Sequence, residues 1–285
     1  MAVYTHLSRD EIADFIAQYD IGELESFTGI TEGVTNTNYL VHTTRDRFIL
    51  TLFEKRFELA DLPYFVALME WWSARGIDCP QPIKNREGRA LAALSGKPAI
   101  VTSFLHGEAA KTITPEHVRE LGGLAANMHV AGMDFPHRRA NGLSLAAWEA
   151  IIDDIAPRVD EIMPGLKRLI SEEYNELSEC WPSRLPAGPV HADLFPDNVF
   201  FSSSPSPLRG EGRGEGDFTP PPTPSHKGRG VYLSGVIDLY FSCHDFWAYD
   251  LAICVNAWCF DAKGRLAPER VAALMAGYND VRPMT

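Results

Sequence analysis

The segment His191-Ala192-Asp193-Leu194-Phe195-Pro196-Asp197-Asn198 has the pattern H-x-D-x-x-x-x-N. Phosphoryl transfer asks little covalent help of a protein. It needs a hydroxyl held in line with the γ-phosphate and metal ions that spread the developing charge. An aspartate such as Asp193 can accept the hydroxyl's hydrogen bond and, late in the reaction, its proton. An asparagine five residues on, across a tight loop, can return to a Mg²⁺ at the phosphates. The spacing alone is only suggestive, because it recurs by chance in roughly a few per cent of chains this long. Further along, a second apolar run ends in Val236-Ile237-Asp238. A carboxylate at a strand end is well placed to bridge Mg²⁺ to the β- and γ-phosphates. Taken singly, Asp193 and Asp238 read as turn residues and Asn198 as a cap. Taken together and in this order, they read as the centre of a MgATP-dependent phosphotransferase.

Elements of two kinds must carry these residues. Ser8 with Glu11 three residues on makes a capping box, and Ile12, Phe15, Ile16 and Tyr19 recur at helical spacing. GITEGVTNTNYLVHT takes a Gly- and Asn-rich turn into a strand, TTRDR turns the chain, and RFILTLF is a second strand. A helix is expected from Asp61 to about Arg75, ending before Gly76 and Pro80, and KPAIVTSF reads as a buried strand. Leu105 to Lys111 reads as a connector. From Thr114 the character turns helical: Thr114 can cap, Pro115 fits the first turn, and Val118, Leu121, Leu124, Ala125 and Met128 line one face. Helical patterns follow from about Ser144 to Asp160 and from Leu166 to Cys180. GPVHADLFPDNVFF and VYLSGVIDLYF read as short strands flanking loops, and a helix follows from about Phe246 to Phe260. The expected fold is therefore α+β and bilobal, with a small β-rich lobe over 1–105 and a mainly helical lobe over 106–285.

Ser202 to Gly230 is different in kind. It is dominated by Ser, Pro and Gly and cannot repay the entropy of ordering, so a disordered insertion over 202–230 is expected. It interrupts NVFF and VYLSGVID, which would otherwise form a hairpin, and hairpin tips tolerate insertions. The functional alternative is a Pro-rich or basic docking segment.

Composition narrows the function classes. The 285 residues carry 26 Lys+Arg against 38 Asp+Glu, a net charge of −12, with 45% hydrophobic and 22% charged residues. These proportions exclude wholesale disorder and leave one domain or two lobes open. The acidic balance argues against nucleic acid or an anionic membrane as a partner. No run approaches the ~20 apolar residues that cross a bilayer. Acidic residues also interrupt the start, where a signal peptide would need an apolar segment. Cys79, Cys180, Cys243, Cys254 and Cys259 are scattered and form no C-x-x-C pair, which reads as reduced core thiols in a cytoplasmic protein without zinc or disulfides. Oligomeric state is not encoded in any of these features.

H-x-D-x-x-x-x-N followed by Ile237-Asp238 resembles the aminoglycoside phosphotransferase-like, or protein-kinase-like, family of small-molecule kinases. EGVTNTNYLV, RFILTLFEKR, IVTSFLHGE, LGGLAANMH, YDLAICVNAWCF and AGYNDVRP agree along the chain and are most similar to the homoserine kinases of that family. The resemblance implies ATP and Mg²⁺ as cofactors and L-homoserine as substrate, phosphorylated on its side-chain hydroxyl on the way to threonine. It implies a nucleotide-binding N-terminal lobe and a C-terminal lobe for catalysis and substrate. Asp193 matches the catalytic aspartate, and Asn198 and Asp238 match the metal-binding pair. Gly33, Val34, Asn36, Thr37 and Asn38 fall in the loop that folds over the ATP phosphates. Ser103 and Leu105 fall in the hinge strand whose backbone meets adenine. His191 and Asp250 take supporting roles, the latter bracing the catalytic loop, and His129 reads as a structural core histidine.

Departures from the pattern point away from a protein substrate. Ala192 stands where protein kinases place Arg before the catalytic Asp, and Ile237-Asp238-Leu239 replaces D-F-G, so control through an activation loop is not expected. Thr51 stands where related kinases have a phosphate-binding Lys or Arg. Lys55, just beyond, either reaches the phosphates or is solvated. Glu70 sits late in its helix, so a Lys–Glu pair is not assured. The resemblance also implies further C-terminal helices after Val281-Arg282-Pro283-Met284-Thr285. Two rival readings stay open: a kinase acting on a cation such as choline or an aminoglycoside, which the acidic charge favours, and an inactive nucleotide-binding relative.

Overall fold

A computed structural model describes residues 3–31, 35–54, 58–202 and 231–284. The N-terminal part is an antiparallel sheet backed by a short helix. Helix α1 (Arg9–Ile16) starts at Ser8, where both arms of the capping box with Glu11 are formed, and it buries Ile12, Phe15 and Ile16. Strands β1 (Leu24–Ile30), β2 (Thr37–Thr43), β3 (Arg47–Leu52), β4 (Leu91–Leu94) and β5 (Lys97–Ser103) pair in the order β1-β2-β3-β5-β4. Along β2 burial alternates strictly, as expected of a strand with one face on a core. Tyr39, Val41, Leu50, Leu52, Ala99 and Val101 pack with α1 into one hydrophobic cluster.

The opposite face of the sheet belongs to a second, larger cluster. Phe53 and Ile100 join Phe65, Leu68, Met69 and Trp72 of α2 (Leu62–Ala74) and Leu121, Leu124, Ala125 and Met128 of α3 (Pro115–Gly132). Two indoles pin α2 to α3: Trp71 Nε1 donates to the Ala131 carbonyl (2.8 Å) and Trp72 Nε1 to the Met128 carbonyl (3.1 Å). Helix α3 begins at Thr114, whose hydroxyl accepts from the His117 N–H, with Pro115 in the first turn. It crosses α7 (Pro268–Val281) at backbone distance. A Cβ on Gly277 would lie 1.9 Å from the Arg119 carbonyl oxygen, so only glycine fits there.

Between α3 and α7 lie α4 (Leu145–Ile155), α5 (Leu166–Cys180), β7 (Ala187–Val190), β8 (Val199–Ser202), β9 (Tyr232–Val236), β10 (Cys243–Phe246) and α6 (Trp247–Trp258). β8 and β9 form the expected hairpin, with Ser202 opposite Tyr232, so Ser202 closes a strand instead of opening an insertion. The rest of the 202–230 segment lies outside the described residues. Three further expectations are corrected. The stretch Leu105–Lys111 contains a short strand, β6 (Glu108–Ala109), because its backbone pairs with Phe200 and Phe201 of β8. Cys243–Phe246 is a strand paired with β7, its few residues too short a run to betray a period. Cys180 is exposed while the other four cysteines are buried, because α4 and α5 bury none of their own residues and the end of α5 meets solvent. All five are free thiols. Among the described residues no helix is long and apolar enough to cross a membrane.

Candidate active site

The loop after β7 is held by a single buried carboxylate. Asp250, in the first turn of α6 and fully buried, accepts the His191 N–H at 2.9 Å on one oxygen and the Ala192 N–H at 2.7 Å on the other. His129 Nε2 of α3 meets the same carboxylate at 3.0 Å, and His129 Nδ1 meets the Tyr278 hydroxyl of α7 at 3.0 Å. Burial pushes the Asp250 carboxyl up. The bond and charge of His129 and the Ala192 N–H outweigh it and hold the group below the ordinary carboxylate range. Ala192 adopts φ +64°, a left-handed conformation that a residue with a Cβ rarely takes, and these bonds keep it there. Beyond it, Trp258 Nε1 of α6 donates to the Leu194 carbonyl at 2.7 Å.

The loop then closes on itself. Phe195 N–H donates to the Asp193 carbonyl (2.8 Å), and the Asn198 amide donates both to that carbonyl and to Asp193 Oδ2, each at 2.8 Å. Two acceptor partners fix the orientation of the Asn198 amide: Nδ2 faces Asp193, and Oδ1 is left with its lone pairs. The next strand brings in Asp238. Val199 of β8 pairs with Val236 of β9, and the Ile237 N–H donates to the Asn198 carbonyl at 2.9 Å. Gly235 permits the bulge here. It has φ +147°, and a Cβ on it would stand 2.5 Å from the Asp78 carbonyl oxygen.

His191 joins the two loops. The Asp193 N–H donates to His191 Nδ1 (3.2 Å), so the proton sits on Nε2, which donates to the Ile237 carbonyl (3.0 Å). Burial pushes the His191 pKa down, against the smaller effects of Asp250 and the Ile237 carbonyl, and favours this neutral tautomer.

The result is a knot of negative charge. Burial raises the Asp193 pKa, the Asn198 bond lowers it and the Asp197 charge raises it, for a net increase. Burial and the Asp193 charge push Asp238 up to about 6, with Asp197 adding to this and the Tyr240 N–H opposing it. A divalent cation would relieve that crowding. The donors offered, the Asp238 carboxylate and Asn198 Oδ1, are hard oxygens that suit an ion of the Mg²⁺ or Ca²⁺ type and leave positions for phosphate oxygens.

On the sheet side, Thr37 is fully buried. It donates to Glu54 Oε1 (2.8 Å) and accepts the N–H groups of Tyr4 (3.0 Å) and Thr5 (3.1 Å), and Lys97 pairs with Glu54 behind it. Asn38 Oδ1 accepts from the Thr51 hydroxyl at 2.7 Å. Asn36 is buried, and its Oδ1 has no hydrogen-bond partner among the described residues. Ser103 exchanges bonds with Gln81, its N–H donating to the Gln81 carbonyl and its hydroxyl accepting the Gln81 N–H, both at 2.9 Å. Leu105 lies against Gly235 of β9. Gly33, Val34 and Lys55 lie outside the described residues. Glu70 pairs with Lys84 at 2.9 Å. Sequence reasoning brought Asp193, Asn198, Asp238, His191 and Asp250 into one place but passed over Asp197, Trp258, Tyr240 and Tyr278. Asp197 stands inside the H-x-D-x-x-x-x-N segment, and an acid next to a candidate metal ligand was the available signal.

A β-sheet lobe over a helical lobe, with an Asp–Asn loop facing an Asp at a strand end, defines a protein-kinase-like phosphotransferase. The chain belongs to the phosphotransferase enzyme (APH) family, whose model matches residues 26–210 and 223–284. It is 46% identical over 285 residues to a homoserine kinase of Rhodopseudomonas palustris (strain HaA2), covering 100% of this chain and 79% of that protein. A homoserine kinase of Paramagnetospirillum magneticum is likewise 46% identical over 286 residues, covering 100% and 81%. Among solved structures, an amicoumacin kinase in complex with AMP-PNP, Ca²⁺ and Ami shares the fold. Its TM-score is 0.69 at 13% identity, over 98% of this chain and 79% of that one.

Proposed function

We propose that the chain is an ATP-dependent homoserine kinase of the cytoplasm, which makes O-phospho-L-homoserine for threonine synthesis. The observation that carries the chemistry is the Asp193–Asn198 bond beside Asp238; the homoserine kinase relatives supply the substrate. Asp193 accepts the hydrogen bond of the homoserine hydroxyl and takes its proton as the oxygen bonds the γ-phosphorus and ADP leaves. Asn198 Oδ1 and the Asp238 carboxylate hold Mg²⁺, which screens the phosphate charge when bound. The loop through Gly33, Val34, Asn36, Thr37 and Asn38 covers the phosphates, and Lys55, just beyond β3, supplies a cation to them. Ser103 and Leu105 offer backbone to adenine at the junction of a nucleotide lobe (1–105) and a catalytic lobe (106–285).

The test is ADP release from MgATP with L-homoserine, L-serine, L-threonine, choline and an aminoglycoside offered separately. Release with homoserine alone is expected. Release with choline or the aminoglycoside instead would overturn the substrate, and silence with every acceptor would overturn the activity. Asp193→Asn should remove turnover while MgATP still binds, and substantial residual turnover would sink the role given to Asp193.

A further inference from the structure

Asp61 stands at the start of α2, where an aspartate usually caps its own helix, yet its side chain makes no capping bond. It accepts instead from Arg139 Nε at 2.6 Å, across 78 residues of chain. The same guanidinium donates from Nη1 to the Ser242 carbonyl at 3.2 Å, and its Cζ lies 5.1 Å from the centre of the Phe65 ring of α2. Arg139 is anchored by its own backbone: its carbonyl accepts the His244 N–H at 2.7 Å, and Ala140 bridges to His244 of β10. Ser242 is fully buried. Its N–H donates to the Leu239 carbonyl (3.1 Å), closing the turn that follows Asp238, and its hydroxyl donates to the His191 carbonyl (3.4 Å) at the start of the Asp193 loop. The Tyr240 ring, in that turn, stands edge-on to Phe65 at 5.8 Å. One side chain therefore reaches both the start of α2 and the residue that joins the two acid-bearing loops. With 21% and 29% of the Arg139 and Asp61 side chains exposed, the pair is shielded enough to hold a geometry, unlike a free surface ion pair.

We propose that Arg139 and Asp61 are positioning residues, a latch that fixes the start of α2 against the Asp238 turn and the Asp193 loop. Two directed bonds from one planar guanidinium set the register between these parts, which the single ammonium of a lysine could not do. Removing the Asp61 carboxylate therefore loosens the segment around Ser242 through Arg139. The effect on the nucleotide rests on the proposed reading of the site as one for MgATP; the effect on the motion of the turn does not.

The experiment follows hydrogen exchange of the Leu239–Cys243 amides, without nucleotide, in wild type, Asp61→Ala, Arg139→Gln, the double variant and Trp71→Phe. The Kd of the magnesium complex of AMP-PNP is measured calorimetrically for the same set, with homoserine KM at saturating MgATP alongside. Each cut at the latch should speed that exchange about tenfold and weaken nucleotide binding about fivefold, with homoserine KM held within about twofold. The double variant should be no worse than Arg139→Gln alone, because that change already removes both bonds. Trp71→Phe cuts a different tie of α2, the bond to the Ala131 carbonyl, and should lower Tm while leaving the exchange and the affinity at their wild-type values. Wild-type exchange in Asp61→Ala, fully additive losses, the same loosening in Trp71→Phe, unchanged nucleotide affinity despite faster exchange, or an equal rise in homoserine KM would each overturn the proposal. Should Arg139→Gln fail to fold, Asp61→Ala decides it, since that change removes no cap from α2. A wild type that did not bind the nucleotide would refute the MgATP reading, and the exchange would still decide the latch.

Discussion

Replacing Asp238 by Asn should stabilise the metal-free protein while destroying its activity, and the size of the gain follows from the site. Asp238 titrates at about 6 in the fold against an ordinary value of 3.8. The folded chain therefore binds this proton more tightly than the unfolded chain does. Stability falls as pH rises through that window, and the cost is complete above it. At about 1.4 kcal/mol per pH unit, the full cost is roughly 3 kcal/mol at pH 8 and about half that at pH 5. Because the carboxylate keeps partial contact with water, this is an upper bound. Asparagine removes the charge and keeps the rest. It tolerates the left-handed backbone at this position (φ +61°, ψ +58°), and its Oδ1 can still accept the Tyr240 N–H. At about 2 °C per kcal/mol for a chain of this size, Tm at pH 8 should rise by up to roughly 6 °C. The assay is thermal unfolding of both proteins in EDTA at pH 5 and pH 8, repeated with MgATP. The stabilisation should shrink towards pH 5, and MgATP should raise Tm in the wild type far more than in the variant. A variant less stable than wild type at pH 8, or a difference that does not change with pH, would refute the idea that Asp238 is held in electrostatic frustration.

Asp250→Ala would leave the His191 and Ala192 N–H groups and His129 without their common acceptor, so urea unfolding should show a loss of about 3–5 kcal/mol together with loss of turnover; a loss below about 1 kcal/mol would mean that the loop holds its shape without α6. Gly277→Ala would drive a methyl into the Arg119 carbonyl and force α3 and α7 apart, costing about 1–3 kcal/mol or more in thermal melts. Because Tyr278 follows directly and bonds His129, turnover should fall in that variant even at temperatures where it remains folded.

Periodicity carried most of the fold. The capping box at Ser8, the alternation in β2 and the apolar stripe of α3 each report a local preference that tertiary packing left intact. β6 and β10 were not legible because two and four residues show no period; their pairing with β8 and β7 is decided by tertiary neighbours. Cys180 misled for a related reason. Cysteine is usually buried, but α5 is a helix whose residues all keep contact with solvent, and composition does not say which helix lies outermost. In the site, Asp193, Asn198 and Asp238 were legible because their chemistry demands particular residue types at a particular spacing. Trp258 and Tyr278 were not, since a buried aromatic ring looks in sequence like any core residue until its polar atom is seen to reach the Leu194 carbonyl or His129.

The backbone at the site is strained at two points, and the strain has a common support. Among the described residues the non-glycine positions with positive φ are Ser95, in the β4–β5 turn, Ala192 and Asp238. The last two lie in the candidate site: Ala192 directly precedes Asp193, and Asp238 is itself its second carboxylate. A left-handed residue with a Cβ costs roughly 1–2 kcal/mol, which persists only when surrounding bonds over-determine it. One neutral imidazole bonds to both strained segments, accepting from the Asp193 backbone and donating to the Ile237 carbonyl. Protonation of His191 would put a hydrogen on Nδ1 and expel the Asp193 N–H, so the two carboxylates keep their relative position only while the ring is neutral. Burial, by depressing the His191 pKa, therefore favours the neutral ring on which this clamp depends.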